Sequence, residues 1–197
     1  MGAALIRLAV SAGVVTLVIA AGAIVTHLPM LFPSLGPTAY LLFATPLAEP
    51  ASPRNTVLGH LIGVLAGAVG LAVFGLLHTP PDLTAITWPR AGAAALALAL
   101  TCGGMAALRL PHPPAGATTL IVALGLLRSP ADLAMIMVSV LALTVLGGLL
   151  NRARGIRYPL WRIRPAAPAT TVGTHTADPT TDPCPPRQAD VSVPDNR

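Results

Sequence analysis

The chain of 197 residues contains no lysine, and all twelve of its basic residues are arginine. Charged residues make up only 10% of it and aromatic residues 4%. Soluble domains use about 25% charged residues, so a mean hydropathy of +0.73 marks an integral membrane protein. Acidic groups are scarce as well. Glu49, Asp82 and Asp132 all read as loop residues, with no paired carboxylates on a helical face and no Ser/His/Asp pattern. That leaves an enzyme little to work with, and none is expected. There are two cysteines, Cys102 in an apolar run and Cys184 in a polar stretch, without Cys-x-x-Cys or Cys/His spacing. No disulfide, metal site or other cofactor is expected from them. A net charge of +5 would suit nucleic acid if it covered one face. Five of the twelve arginines instead lie between Arg152 and Arg164, directly after a hydrophobic run. This is a membrane-topology pattern, so the partner expected is the lipid bilayer and not nucleic acid.

What the chain does have is hydrophobic length. Four uncharged runs, Leu8–Thr26, Asn55–Leu77, Ala91–Leu108 and Leu133–Leu150, approach or reach the ~20 residues that cross a bilayer. The first exceeds the roughly 7–15 apolar residues of a cleaved signal, so it is expected to be retained. Two shorter apolar pieces, Ser34–Ala48 and Ala115–Leu127, are each introduced by Pro or Gly and suggest broken or re-entrant helices. The order long, short, long occurs twice, and "GPTAYLLFATP" resembles "GATTLIVALG". The expected fold is therefore an all-α membrane bundle of four long transmembrane helices plus two short broken or re-entrant ones. An internal duplication would place the halves at about 1–77 and 91–150 of a membrane domain covering 1–150. His78–Arg90 reads as an exposed connector with an interfacial tryptophan. A basic juxtamembrane segment, 151–164, and a Pro/Thr/Asp-rich tail, 165–197, expected to be disordered, follow.

The arginine cluster after Leu150 should face the cytoplasm, and an even number of crossings places the N-terminus there too. A multi-pass protein of a bacterial inner membrane, with both termini cytoplasmic, is expected. Six crossings would make the repeats inverted and four would make them parallel; both fit the sequence.

Polar residues inside the apolar region are the candidates for function. In "RLPHPPAGATT", Pro113 or Pro114 is tolerated at a first helical turn because its missing N–H would be unpaired there anyway. Free amides at Ala115, Gly116 and Ala117, together with Thr118 and Thr119, would then form an anion-binding helix end. A Pro-rich turn between helices is the plainer reading of the same residues. The first half repeats the parts: Ser34 as a possible cap, Gly36 for close approach, Pro37 in the first turn and Thr38 as a hydroxyl. His60 lies inside a long run, where an ionisable group is a functional candidate, a structural histidine being the alternative. It shares a flank with Gly63 and Gly67; with Gly59 these form small-xxx-small spacing that lets another helix, or a second copy in a homo-oligomer, approach closely. Arg54 fits three roles: a cation for substrate, an interface anchor, or the partner of Glu49. Asn55 is a possible N-cap. Arg109 and His112 complete the set.

The segments "SLGPTAYLLFATPLAEPASPRNTVLGHLIG" and "HPPAGATTLIVALG" together resemble the HPP family of small integral membrane proteins. The family takes its name from the motif found here as His112-Pro113-Pro114. The resemblance covers roughly Leu28–Leu150 and includes Pro53, Arg54, Asn55, Gly59 and His60. It implies four transmembrane helices and, by association with plant plastid and cyanobacterial members, nitrite transport. Some bacterial members carry C-terminal CBS domains, which the polar tail here does not resemble. The function expected is a transporter or channel for a small inorganic anion, nitrite first among candidates, held by the two half-helix ends with Arg54, Arg109, His60 and His112. The alternative is a non-transporting membrane scaffold or assembly partner.

Overall fold

A computed structural model describes residues 2–82 and 84–162; the expected disordered tail, 165–197, lies outside the described residues. Among the described residues six α-helices appear in the order α1 (Gly2–Thr26), α2 (Leu35–Ala44), α3 (Pro53–Val73), α4 (Trp88–Leu108), α5 (Ala115–Ala123) and α6 (Pro130–Ala153). A 3-10 turn, Glu49–Ala51, precedes α3. Four helices are long and apolar enough to cross a membrane: Leu5–Thr26, Pro53–Val73, Trp88–Leu108 and Pro130–Ala153. Among the described residues there is no strand.

The starts of α3, α4 and α6 follow from local chemistry. Each has proline in its first turn, where no N–H is missed. The side chains of Ser52, Thr87 and Ser129 accept from the backbone N–H three residues on. Ser129 and Asp132 complete a reciprocal capping box. Ser52, and not Asn55, is thus the N-cap of α3, which frees the Asn55 side chain for other work. The connector ends earlier than its composition suggests, because Trp88 already begins α4 and is 91% exposed.

Hydrogen bonds between distant segments sort the helix ends into two groups. Arg154 Nη1 donates to Ser11 Oγ, Asn151 Nδ2 to Leu42 O, and Arg54 N to Trp161 O. Arg54 Nη1 and Asn55 Nδ2 reach Arg109 O and Pro111 O, both at 3.4 Å. The beginnings of α1 and α3 and the ends of α2, α4 and α6 therefore share one end of the bundle, where Arg7, Arg54, Arg109, Arg152, Arg154 and Arg157 also lie. At the opposite end Phe74, just past α3, lies against Gly92 of α4, and Arg90 lies against Gly125, just past α5. The described residues thus pass from end to end of the bundle six times. Four passes are long helices, and the other two combine a non-helical lead or exit with a short helix. The second half, α4–α6, runs opposite to the first. Of the two topologies open at the sequence level, this is the inverted one.

Close approach is built from glycine. A Cβ on Gly59 would lie 2.7 Å from His112 Cβ, one on Gly63 2.7 Å from Ala115 O, and one on Gly67 2.6 Å from Val122 Cβ. The contacts advance in step, so α5 lies parallel to α3 with backbones nearly touching. This face is filled by the chain's own α5 and leaves no room for a second copy, which corrects the expectation of a homo-oligomer through Gly59, Gly63 and Gly67. Two apolar clusters complete the interior. One joins Val15 and Ile19 of α1, Leu42 and Phe43 of α2, and Val140 and Leu143 of α6. The other joins Val64 and Leu71 of α3, Val122, Leu127 and Ile136.

The basic segment does more than follow α6. Tyr158 folds back so that its hydroxyl donates to Ala51 O at 2.6 Å, while Arg152 donates twice to Tyr158 O. Burial pushes the phenol above its ordinary pKa, keeping it a donor. Tyr158→Phe would orphan the Ala51 carbonyl. It is expected to cost roughly 1–3 kcal/mol, read as a lowered unfolding midpoint in detergent.

Candidate functional site

The two short helices begin inside the bundle, and their second turns face a common cluster. Thr38 of α2 is 2% exposed, while Thr118 of α5 and His60 of α3 are fully buried and His112 is 1% exposed. His60 is seven residues into α3, about 10 Å along the axis at 1.5 Å per residue. Its Nδ1 lies 2.7 Å from Thr118 Oγ1 and its Nε2 2.9 Å from Thr38 Oγ1. His112 Nε2 is 3.5 Å from the same Thr38 hydroxyl, and His112 Nδ1 is 2.8 Å from Pro50 O. The two rings meet edge to face, with centroids 4.9 Å apart. Gly59 makes room for the second ring.

The partners assign the hydrogens. A carbonyl only accepts, so His112 Nδ1 carries hydrogen and donates to Pro50 O. In the neutral ring, Nε2 then has a bare lone pair. The Thr38 hydroxyl donates to Ser34 O at 2.9 Å, so His60 Nε2 must donate to Thr38. His60 Nδ1 then accepts from Thr118, whose hydroxyl bonds to His60 alone among the described residues. Three of the four ring nitrogens thereby have a short, correctly directed bond. His112 Nε2, facing Thr38 at 3.5 Å, does not.

Several expected site residues take other places. Thr119 turns to α4, where its hydroxyl meets Thr101 Oγ1 at 2.7 Å and donates to Ala115 O. Asn55 ties Glu49 O to Pro111 O through its Nδ2, so it braces the loop carrying His112. Arg54 is half-buried and bonds to Arg109 O and to Asn55 Oδ1, not to Glu49. Arg109 is exposed and ends α4 with φ 52. Gly36 and Pro113 are exposed, Pro114 is buried and Gly116 is half-buried.

The helix starts also differ from the open anion cradle that the sequence suggests. Ala115, Gly116 and Ala117 donate to His112 O, Pro113 O and Pro114 O; Leu35 and Gly36 donate to Phe32 O and Pro33 O. These tight turns use up the amides expected to be free. Ser34 has helical angles, φ −67 and ψ −18, and caps nothing with its side chain. Its buried Oγ has no hydrogen-bond partner. The polar centre is accordingly a His–Thr cluster and not a ring of amides.

Thr101, Pro50 and Arg90 also contribute, and no motif in the sequence marks them as site residues. Arg90 is 5% exposed, donates to Thr79 O and Pro80 O, and braces the end of α5 at Gly125. Its position after Trp-Pro had marked it as connector. The Thr87 cap, three residues before it, was the available signal that it belongs to a helix.

Comparison with known proteins matches residues 2–159 to the family model described as HPP, transmembrane region. Two transmembrane proteins of Dictyostelium discoideum are also similar. One is 33% identical over 88 residues, 45% of this chain and 25% of its own length. The other is 29% identical over 140 residues, 68% of this chain and 46% of its own length. The chain thus spans less than half the length of each of these relatives. No solved structure matches it significantly.

Proposed function

The chain belongs to the HPP family of membrane proteins, and from that premise we propose that it carries a small monovalent anion across the membrane, nitrite being the leading candidate. One observation carries this reading. Two short helices running in opposite directions bring Thr38 and Thr118 onto His60, so that buried hydroxyls and imidazoles from separate helices meet inside the bundle. Buried polar groups in a membrane are costly and commonly mark a substrate path, and broken helices in repeated halves are a transporter's way of building one. The choice of nitrite rests on the resemblance to family members associated with its transport. No catalytic chemistry is assigned.

In this reading Arg54 and Arg109 form the approach from the arginine-rich end, and His60, His112, Thr38 and Thr118 form the site. That end is assigned to the cytoplasm of a bacterial cell by the arginine bias, with Arg90 and Arg128 at the other end. A non-transporting scaffold is the alternative, and it would have to use a face other than Gly59–Gly63–Gly67, against which α5 packs. Uptake of labelled nitrite into proteoliposomes tests the proposal. A saturable rate above that of empty vesicles is expected, and a rate equal to theirs refutes transport of nitrite.

A further inference from the structure

We infer that the His60–Thr38–His112 cluster binds one proton together with the anion, so that transport is an electroneutral symport of a proton and an anion and not a flow of bare charge. The inference deepens the proposed function and rests on it.

The geometry supplies the argument. Among the described residues, an anion entering the cluster meets two imidazoles and two hydroxyls but no fixed cation. The amides at both short-helix starts are already bonded to carbonyls. Placing a bare charge among neutral groups in a low-dielectric interior is strongly unfavourable. Among the ring nitrogens the open position is the lone pair of His112 Nε2, which can take a proton; the unpartnered Ser34 Oγ is a hydroxyl and does not bind one near neutral pH. Once protonated, His112 still donates from Nδ1 to Pro50 O and gains a second donor, Nε2–H, directed towards Thr38 Oγ1. No existing hydrogen bond has to break. The imidazolium then balances the anion, one positive charge for one negative. On release the proton leaves Nε2 with the anion, and the ring returns to its neutral form.

Among the described residues the surroundings offer no rival charge bonded to the cluster. From α2 and α5 the cluster is met by the hydroxyls of Thr38 and Thr118, and α5 carries no titratable residue. Tyr40 of α2 is exposed, as is Cys102 of α4. Arg90 of α4 and Asp132 of α6 lie at the end away from Pro50, and Arg152 of α6 bonds to Tyr158. Glu49 beside Pro50, Arg54 on α3 and Arg109 ahead of His112 gather at the arginine-rich end. None of these is bonded to either imidazole.

Labelled nitrite uptake into proteoliposomes, with the membrane potential set by potassium and valinomycin and a separate pH step imposed, reads the coupling. The expected result is uptake that rises with an inward acid gradient and acidification of the lumen, with no response to potential after subtraction of empty vesicles. Saturable uptake that follows the potential and ignores the pH gradient would overturn symport while leaving nitrite transport standing. Uptake no greater than in empty vesicles would remove both. His112→Asn keeps a donor near Nδ1 for Pro50 O and lacks Nε2, so its remaining uptake should lose the response to pH gradient. A direct check is independent of flux. In the ¹⁵N spectrum of histidine-labelled protein, saturating nitrite should convert one buried imidazole to imidazolium. Two imidazoles that both stay neutral would contradict the inference.

Discussion

Gly63→Val is expected to leave little correctly folded protein. A Cβ at this position would lie 2.7 Å from Ala115 O and 2.9 Å from Thr119 Oγ1. The first contact is with backbone, so no side-chain rotation relieves it, and valine adds two more carbons behind the Cβ. Overpacking of a tight interior costs typically 1–3 kcal/mol, and here the only relief is to lift α5 off α3. That movement would also part Thr118 from His60. Gly103→Ala is the matched control, since a Cβ there meets nothing within 4 Å. Size-exclusion elution and unfolding midpoints in detergent should show the valine variant aggregated or strongly destabilised and the alanine variant unchanged. A well-folded Gly63→Val protein would mean that α3 and α5 are not in backbone contact.

The second large effect concerns function with the fold retained. Thr118→Val is close to isosteric but removes the hydrogen that His60 Nδ1 accepts. An unsatisfied buried acceptor costs roughly 1–3 kcal/mol, enough to lower the unfolding midpoint without abolishing folding. Nitrite uptake should fall to the level of empty vesicles, because the site then lacks one of its two hydroxyls and His60 Nδ1 is left without its donor. Thr118→Ser restores the hydroxyl and should restore uptake. Thr119→Val is the informative neighbour. Its hydroxyl faces Thr101 on α4, so the variant should lose stability by a similar amount and keep transport. Equal loss of transport in both valine variants would indicate a packing effect and not a defined site.

The contrast between Thr118 and Thr119 shows where sequence reasoning stopped. Adjacent helical residues point about 100° apart, and the phase of a nine-residue helix with little amphipathic character is set by its neighbours, not by its own pattern. The order of long and short apolar runs was legible because span length is a composition property. The glycine spacing at Gly59, Gly63 and Gly67 was legible as a close-contact face, but not that α5 is what fills it. The inverted arrangement was not legible: it depends on pairs such as Arg54–Trp161 and Asn151–Leu42, which lie far apart in sequence.

The open amides were misread for a local reason. Proline just before a helix suggested unpaired N–H groups, but His112, Pro113 and Pro114 form a tight turn whose carbonyls take the first three amides. The same happens at Phe32 and Pro33. His60 was recognised as a buried ionisable group. Its meeting with His112, 52 residues away in sequence, needed the packing of the loop against Gly59.

Thiol accessibility at Thr118 tests most directly whether the His–Thr cluster lies on the transport path. In protein with Cys102 and Cys184 replaced by alanine, Thr118→Cys would be exposed in proteoliposomes to a small charged methanethiosulfonate reagent, with and without nitrite. The account predicts that the thiol reacts, since transport must open the cluster to water, and that saturating nitrite slows the reaction. A thiol that stays unreactive from both sides, in vesicles that transport nitrite, would place the path elsewhere.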